Sequence, residues 1–234
     1  ADGNGTHDFN WFNNASPLGT ATLAGGVLTM ETTAATRGNW FQSTAANEAW
    51  QVLAPTIERG YTIEIRAKII DTALSRPLSV MASPAGTVEH AYLTVTEDGQ
   101  LWGTSSTVLG DSNSNMDDFH TFRVTQEPGT STYSVWRDGR LLAGALPSGA
   151  SHDANRMLFG DVSGSHGGKA EIDYVRFTAG AYAPEVGSHP DLYAWYKADA
   201  GVKDASGNAP DHMTEDVVLW ENQAPSGSAR DLNV

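Results

Sequence analysis

Cysteine is absent from the 234 residues, which removes disulfides, thiolate zinc ligands and a cysteine nucleophile together. Basic side chains are scarce: 14 Lys and Arg face 28 Asp and Glu, for a formal net charge of −14. Such a surface repels a phosphate backbone, so no nucleic-acid partner is expected. No apolar run approaches the length that crosses a bilayer, so no membrane insertion is expected. Ala1 rather than methionine stands first, as removal of a signal peptide would leave it, and the expectation is a secreted or cell-surface protein. The surplus of carboxylates suits calcium ligation or solubility equally.

What is present points to β structure. The chain carries 24 glycines and 10 prolines, with turn dipeptides at short intervals and little room for helix. In "YTIEIRAKI", Tyr61, Ile63, Ile65, Ala67 and Ile69 alternate with Thr62, Glu64, Arg66 and Lys68, which predicts a strand with one buried and one solvated face. "HAYLTVTEDGQLWG" reads as a hairpin turning at Asp98-Gly99. "FHTFRVTQEPGTSTYSVWRDGRLLAG" reads as a meander turning at Pro128-Gly129 and Asp138-Gly139. "ATLAGGVLTMET" predicts a weaker hairpin at Gly25-Gly26, "NWFQS" a short strand and "AANEAWQVL" one helical turn. Many short strands of this kind mean an all-β, antiparallel two-sheet β-sandwich or a barrel.

The order of "HDFN", "YTIEIRAKI", "DDFHTFRVT", "YSVWRDGRLL" and "LFGDVSGSHGGKAEIDYVRF" resembles the laminin G-like, concanavalin A-like jelly rolls. That resemblance covers most of residues 1–180 and implies a jelly-roll domain over 1–183. Residues 184–190, framed by Pro184 and Pro190, read as a linker. The tail "LYAWYKADAGVKD…VVLWENQAPSGSARDL" resembles the opening of another such domain. Residues 191–234 are therefore expected to be the truncated start of a second domain or an extension packed on the first, able to meet neighbouring domains or chains.

Members of this superfamily include enzymes and binding modules. The family 16 glycoside hydrolases carry a strand of type E-x-D-x-E, because retaining hydrolysis needs two carboxyls about 5 Å apart on one face. No such strand occurs here; the nearest acidic pairs are Glu171 with Asp173 and the adjacent Asp117-Asp118. Alginate-lyase relatives use His and Tyr with Arg and Gln, and "EHAYLTV" puts His90 and Tyr92 on one strand face. No lyase motif surrounds them, and ordinary polar packing accounts for them equally. The expectation is a non-catalytic carbohydrate-binding or adhesive module of a larger exported bacterial protein, its partner a polysaccharide or glycan. The alternatives are a structural spacer without a ligand and a diverged lyase or hydrolase.

The candidate ligand contacts are Trp102, Trp136, His90, Tyr92 and Arg66. Indole faces cover the C–H side of a pyranose, and both tryptophans adjoin turns, where binding loops gather. The resemblance further implies a structural calcium between the N-terminal segment and the last strand, at Asp8 and Asp173. "DSNSNMDD" is similar to half an EF-hand loop, with Asp111, Asn113, Asn115 and Asp117 alternating, but Met116 replaces the glycine and Phe122 the final glutamate. It reads as a polar loop.

Overall fold

The computed structural model describes residues 10–13, 19–33, 36, 38–44, 56–71, 76–84, 90–103, 107–110, 113–149, 156–162 and 167–181, and the strand backbones at 192–197, 202–203 and 219–220. These residues form two antiparallel sheets, with no helix among them. One sheet has seven strands: β1 (Asn10–Asn13), β4 (Asn39–Thr44), β13 (Arg156–Gly160), β6 (Leu78–Ser83), β7 (Ala91–Val95), β8 (Gln100–Trp102) and β9 (Thr107–Leu109), in that spatial order. The other has eight. Its spatial order is β12 (Arg140–Pro147), β11 (Thr132–Arg137), β10 (His120–Gln126), β5 (Tyr61–Asp71), β14 (Gly168–Ala179), β3 (Val27–Thr32) and β2 (Thr20–Ala24), with β15 (Leu192–Lys197) paired to β14. A separate pair joins β16 (Val202–Lys203) to β17 (Leu219–Trp220). The expected helical turn at 46–54 lies outside the described residues.

The alternation in β5 is realised in full. Tyr61, Ile63, Ile65, Ala67 and Ile69 are each at most 1% exposed and meet Phe41, Leu93, Phe122 and Phe159 in the core between the sheets. Phe41 stacks on Phe159 with ring centres 5.3 Å apart, and Tyr61 lies 6.2 Å from Tyr133. Each large aliphatic side chain so buried contributes roughly 1.5–3 kcal/mol. The polar face departs from expectation, since Thr62 and Glu64 are also buried. Glu64 is closed in by charged partners from β10 and β14 that no local pattern reveals.

Hairpins form at each predicted turn. Asp138-Gly139 takes φ of 49° and 81°, the left-handed pair of a two-residue hairpin whose twist matches its strands. Asp98-Gly99 turns without positive φ; Thr96 N donates instead to Gly99 O at 3.0 Å. The polar loop before β10 is anchored by Asn115, whose Nδ2 donates to Thr96 O (2.8 Å) and Gly99 O (3.1 Å).

Strand β14 contains the irregularity that matters most. Ile172 pairs with Ala67 and Tyr174 with Arg66, so Asp173 is an extra residue with no opposite number. A bulge reverses the side-chain parity beyond it. Ala170 and Ile172 point into the core before it, Val175 and Phe177 after it. Tyr174 and Arg176 are thereby turned outward.

Candidate functional site

Register places two rows of side chains across four strands on the outer face of the eight-stranded sheet. Arg176 on β14 pairs with Glu64 on β5, Glu64 with Arg123 on β10, and Arg123 with Trp136 on β11. One step along, Tyr174 pairs with Arg66 and Arg66 with Thr121, and Thr121 O accepts from Asp138 N at 2.9 Å. Glu64, Thr121, Arg123, Trp136, Asp138, Gly139, Tyr174 and Arg176 line a pocket of about 370 Å³.

Glu64 organises its floor. Oε2 accepts from Arg123 Nε at 2.7 Å and from Arg123 Nη2; Oε1 accepts from the Tyr174 hydroxyl at 2.8 Å and lies 3.3 Å from Arg176 Nη1. The Arg176 guanidinium also sits 4.7 Å above the Tyr174 ring. Burial, and then the Glu64 charge, push the Tyr174 phenol up to about 12. Tyr174 is therefore a neutral donor at ordinary pH. The indole Nε1 of Trp136 is sealed from solvent and meets no acceptor among the described residues.

The rim is fixed by the β11–β12 turn. Asp138 Oδ1 accepts from Thr121 N at 2.9 Å, and Oδ2 lies 2.7 Å from His120 Nδ1 and 3.1 Å from Arg137 Nη1. His120 Nε2 faces Asp117 Oδ1 at 2.9 Å. That hydrogen bond holds the Asp117 carboxyl below its ordinary range.

The five candidate ligand residues do not form one site. Trp136 lines the pocket. Arg66 stands beside it, with Nη1 2.5 Å from Asp173 Oδ2 and the guanidinium 5.1 Å from the Phe119 ring centre. The other three lie in or beside the opposite sheet and are buried, which corrects the placing of Trp102 at the surface and of His90 and Tyr92 among ligand contacts. Trp102 is 4% exposed, packs against Tyr133 at 5.3 Å and donates Nε1–H to Pro147 O at 2.7 Å. Strand parity turns this indole inward despite the neighbouring turn. His90 and Tyr92 share a face, with ring centres 6.1 Å apart, but both are buried. Tyr92 packs with Trp40, Met81 and Leu158.

Glu64, Arg123, Tyr174 and Arg176 were not singled out by sequence. The signal for two of them is the spacing of Ile172, Val175 and Phe177, three and then two residues, which breaks the period of two and marks a bulge. Glu64 and Arg123 have only outward parity on their strands as a signal.

Of the two positions that the resemblance implies for calcium, Asp173 is the one among the described residues. Its carboxylate is engaged by the Arg66 guanidinium, and no group of three His, Asp or Glu among the described residues converges on a common point. Asp8 lies outside the described residues.

No protein-family model matches the sequence, and no curated protein matches it either. The likeness to solved structures is one of fold. The cellulose induced protein Cip1 superposes with a TM-score of 0.52 at 11% identity, over 75% of this chain and 93% of that one. A carbohydrate esterase from the Shiga toxin-encoding bacteriophage phi24B gives 0.51 at 14% identity, over 74% and 91%. A sialidase gives 0.50 at 10% identity over 73% of this chain, which spans only 17% of the sialidase. The jelly-roll expectation is consistent with all three.

Proposed function

We propose that this chain is a non-catalytic carbohydrate-binding or adhesive module of a larger exported bacterial protein, and that the Trp136 pocket is its glycan site. One observation carries the reading: a partly buried indole stands beside a polar floor whose side chains are already fixed by one another. An indole offers a stacking face for a pyranose, and a preorganised floor loses little entropy on binding. The fold likeness to carbohydrate-active proteins is compatible with it. The pocket's chemistry favours holding over turnover. Tyr174 is held protonated and donates to Glu64, so it offers no phenolate base near neutral pH. Both carboxylates of the lining accept internal donors.

A glycan array probed with the chain and with Trp136→Ala tests this. Capture of a defined glycan set, lost in the variant, is the expected result. Absence of capture, or release of reducing ends or unsaturated uronates from the glycans offered, would overturn it. A structural spacer or assembly role is the second reading, favoured by β15, which adds a strand to β14 from residues 192–197.

A further inference from the structure

One wall of the pocket is held from behind. Trp136 pairs with Arg123 on the outer face of the eight-stranded sheet, while the next residue, Arg137, pairs with Phe122, whose ring lies in the core. Successive side chains of a strand point to opposite faces, so Arg137 leaves β11 on the side away from the pocket. There its guanidinium is spread over three acceptors: Nε donates to Asn115 Oδ1 at 2.9 Å, Nη2 donates to Ser114 O at 2.5 Å, and Nη1 lies 3.1 Å from Asp138 Oδ2. Asn115 is fully buried, and each of its polar groups is used. Its N–H donates to Glu97 O at 2.7 Å, and its carbonyl accepts from Ile69 N at 2.8 Å. Nδ2 donates to Thr96 O and Gly99 O, and Oδ1 accepts from Gln100 Nε2 at 3.2 Å as well as from Arg137. Asn115 thus joins the β7–β8 turn of one sheet to β5 and β11 of the other. A buried polar network that is fully satisfied is rigid.

Resting on the glycan-binding reading above, we propose that Arg137 and Asn115 are positioning residues of the pocket: together they tie the Trp136–Gly139 wall to the β7–β8 turn of the opposite sheet, so that the indole and the Asp138 rim stand in place before a sugar arrives. Neither residue lines the pocket. Their effect runs through Trp136 and Asp138, the chain neighbours of Arg137, which do line it. Asp138 N donates to Thr121 O and Asp138 Oδ1 accepts from Thr121 N, each at 2.9 Å, and Oδ2 also meets His120 Nδ1 at 2.7 Å. Those bonds fasten the wall to β10 within its own sheet, and Arg137 supplies the tie across to the other. A ligand that meets an ordered wall loses less freedom on binding.

Amide hydrogen exchange of the full chain, together with capture on the glycan array read over a series of protein concentrations, tests the proposal. The variants are Arg137→Gln, the milder Arg137→Lys, and Val80→Ala, a buried core residue of the seven-stranded sheet, as the control for lost stability. In both Arg137 variants the Thr121 and Asp138 amides should exchange about ten-fold or more faster, a larger change than in β4 and β13. Half-capture of the bound glycans should then need roughly three- to ten-fold more protein. Val80→Ala should lower the melting temperature and leave the capture midpoint where it is in the parent chain. Asn115→Ala should reproduce the shift, and adding Arg137→Lys to it should weaken capture little further, since both remove one tie. Faster exchange at the rim with an unchanged capture midpoint would overturn the positioning role while leaving the glycan site intact. Exchange at the rim no faster than in the control would overturn the tie itself. Absence of capture by the parent chain would overturn the glycan reading above, and the positioning of a sugar with it.

Discussion

Glu64 Oε2 and Arg123 Nε stand 2.7 Å apart on adjacent strands, with both side chains about 5% exposed. Each would be severely destabilised without the other, because a buried charge that loses its partner keeps its desolvation penalty. Glu64 also holds Tyr174 and faces Arg176, so one carboxylate ties β5 to β10 and β14. Glu64→Gln, of nearly the same shape, should lower stability by about 3–5 kcal/mol. Urea denaturation measures this; a loss below about 1 kcal/mol, the range of surface pairs, would mean the network does not act as a buried one.

The Tyr174 phenol predicts an alkaline limb. Its folded value, about 12, lies above the ordinary value near 10 for an unfolded chain. The folded state therefore holds its proton longer, and this contribution to stability is complete below pH ~10 and is lost as pH rises through ~12. Burial, and then Tyr133, raise Tyr61 above the ordinary value as well, so it adds to the alkaline limb. Tyr174→Phe should make stability fall less steeply between pH ~10 and ~12. Ultraviolet titration should show one fewer late-ionising phenol; unchanged spectra would place the late phenol elsewhere.

On the acid side the sign reverses. His120 holds the Asp117 carboxyl below its ordinary range, so the contact contributes stability above that range and loses it as pH falls through the lowered value. His120→Gln should return Asp117 toward the ordinary range, which a carboxyl-detected NMR titration reads directly. An unmoved Asp117 titration in the variant would show that His120 is not the cause.

Two tryptophans that look alike in sequence should behave oppositely. Trp102, packed on Tyr133 and bonded to Pro147, should cost about 3–5 kcal/mol on truncation to alanine. Trp136 borders the pocket, and its truncation should abolish glycan capture with a far smaller shift in melting temperature. Equal destabilisation by both would make Trp136 a packing residue.

That contrast marks how far the sequence is legible. Strand β5 could be read because its period of two is local, and the hairpins because Gly25-Gly26, Gly129 and Asp138-Gly139 carry the positive φ their turns require. The pocket draws one or two residues from each of β5, β10, β11 and β14, up to 112 positions apart between Glu64 and Arg176, and only sheet register unites them. Trp102 was misplaced because nearness to a turn says less than strand parity. The bulge at Asp173 left a trace in the Ile172–Val175–Phe177 spacing, yet its consequence depends on which strand lies opposite.

The segment 191–234 supplies the last prediction. Its first strand, β15, pairs along Tyr174–Thr178 of β14, with Trp195 opposite Arg176 and Lys197 opposite Tyr174. Strand β3 covers Gly168–Ile172 on that side of β14, so beyond Ile172 the backbone groups turned that way find their partners in β15. An unpaired edge is a template for other chains. Deleting residues 191–234 should therefore raise hydrogen exchange at the β14 amides between Tyr174 and Thr178 that turn toward β15, and should promote self-association in sedimentation. The same edit should disturb the pocket, because Tyr174 and Arg176 stand on that stretch of strand. Unchanged exchange with an unchanged oligomeric state would mean that β14 holds its outer face without help, and the assembly reading of the tail would lose its support.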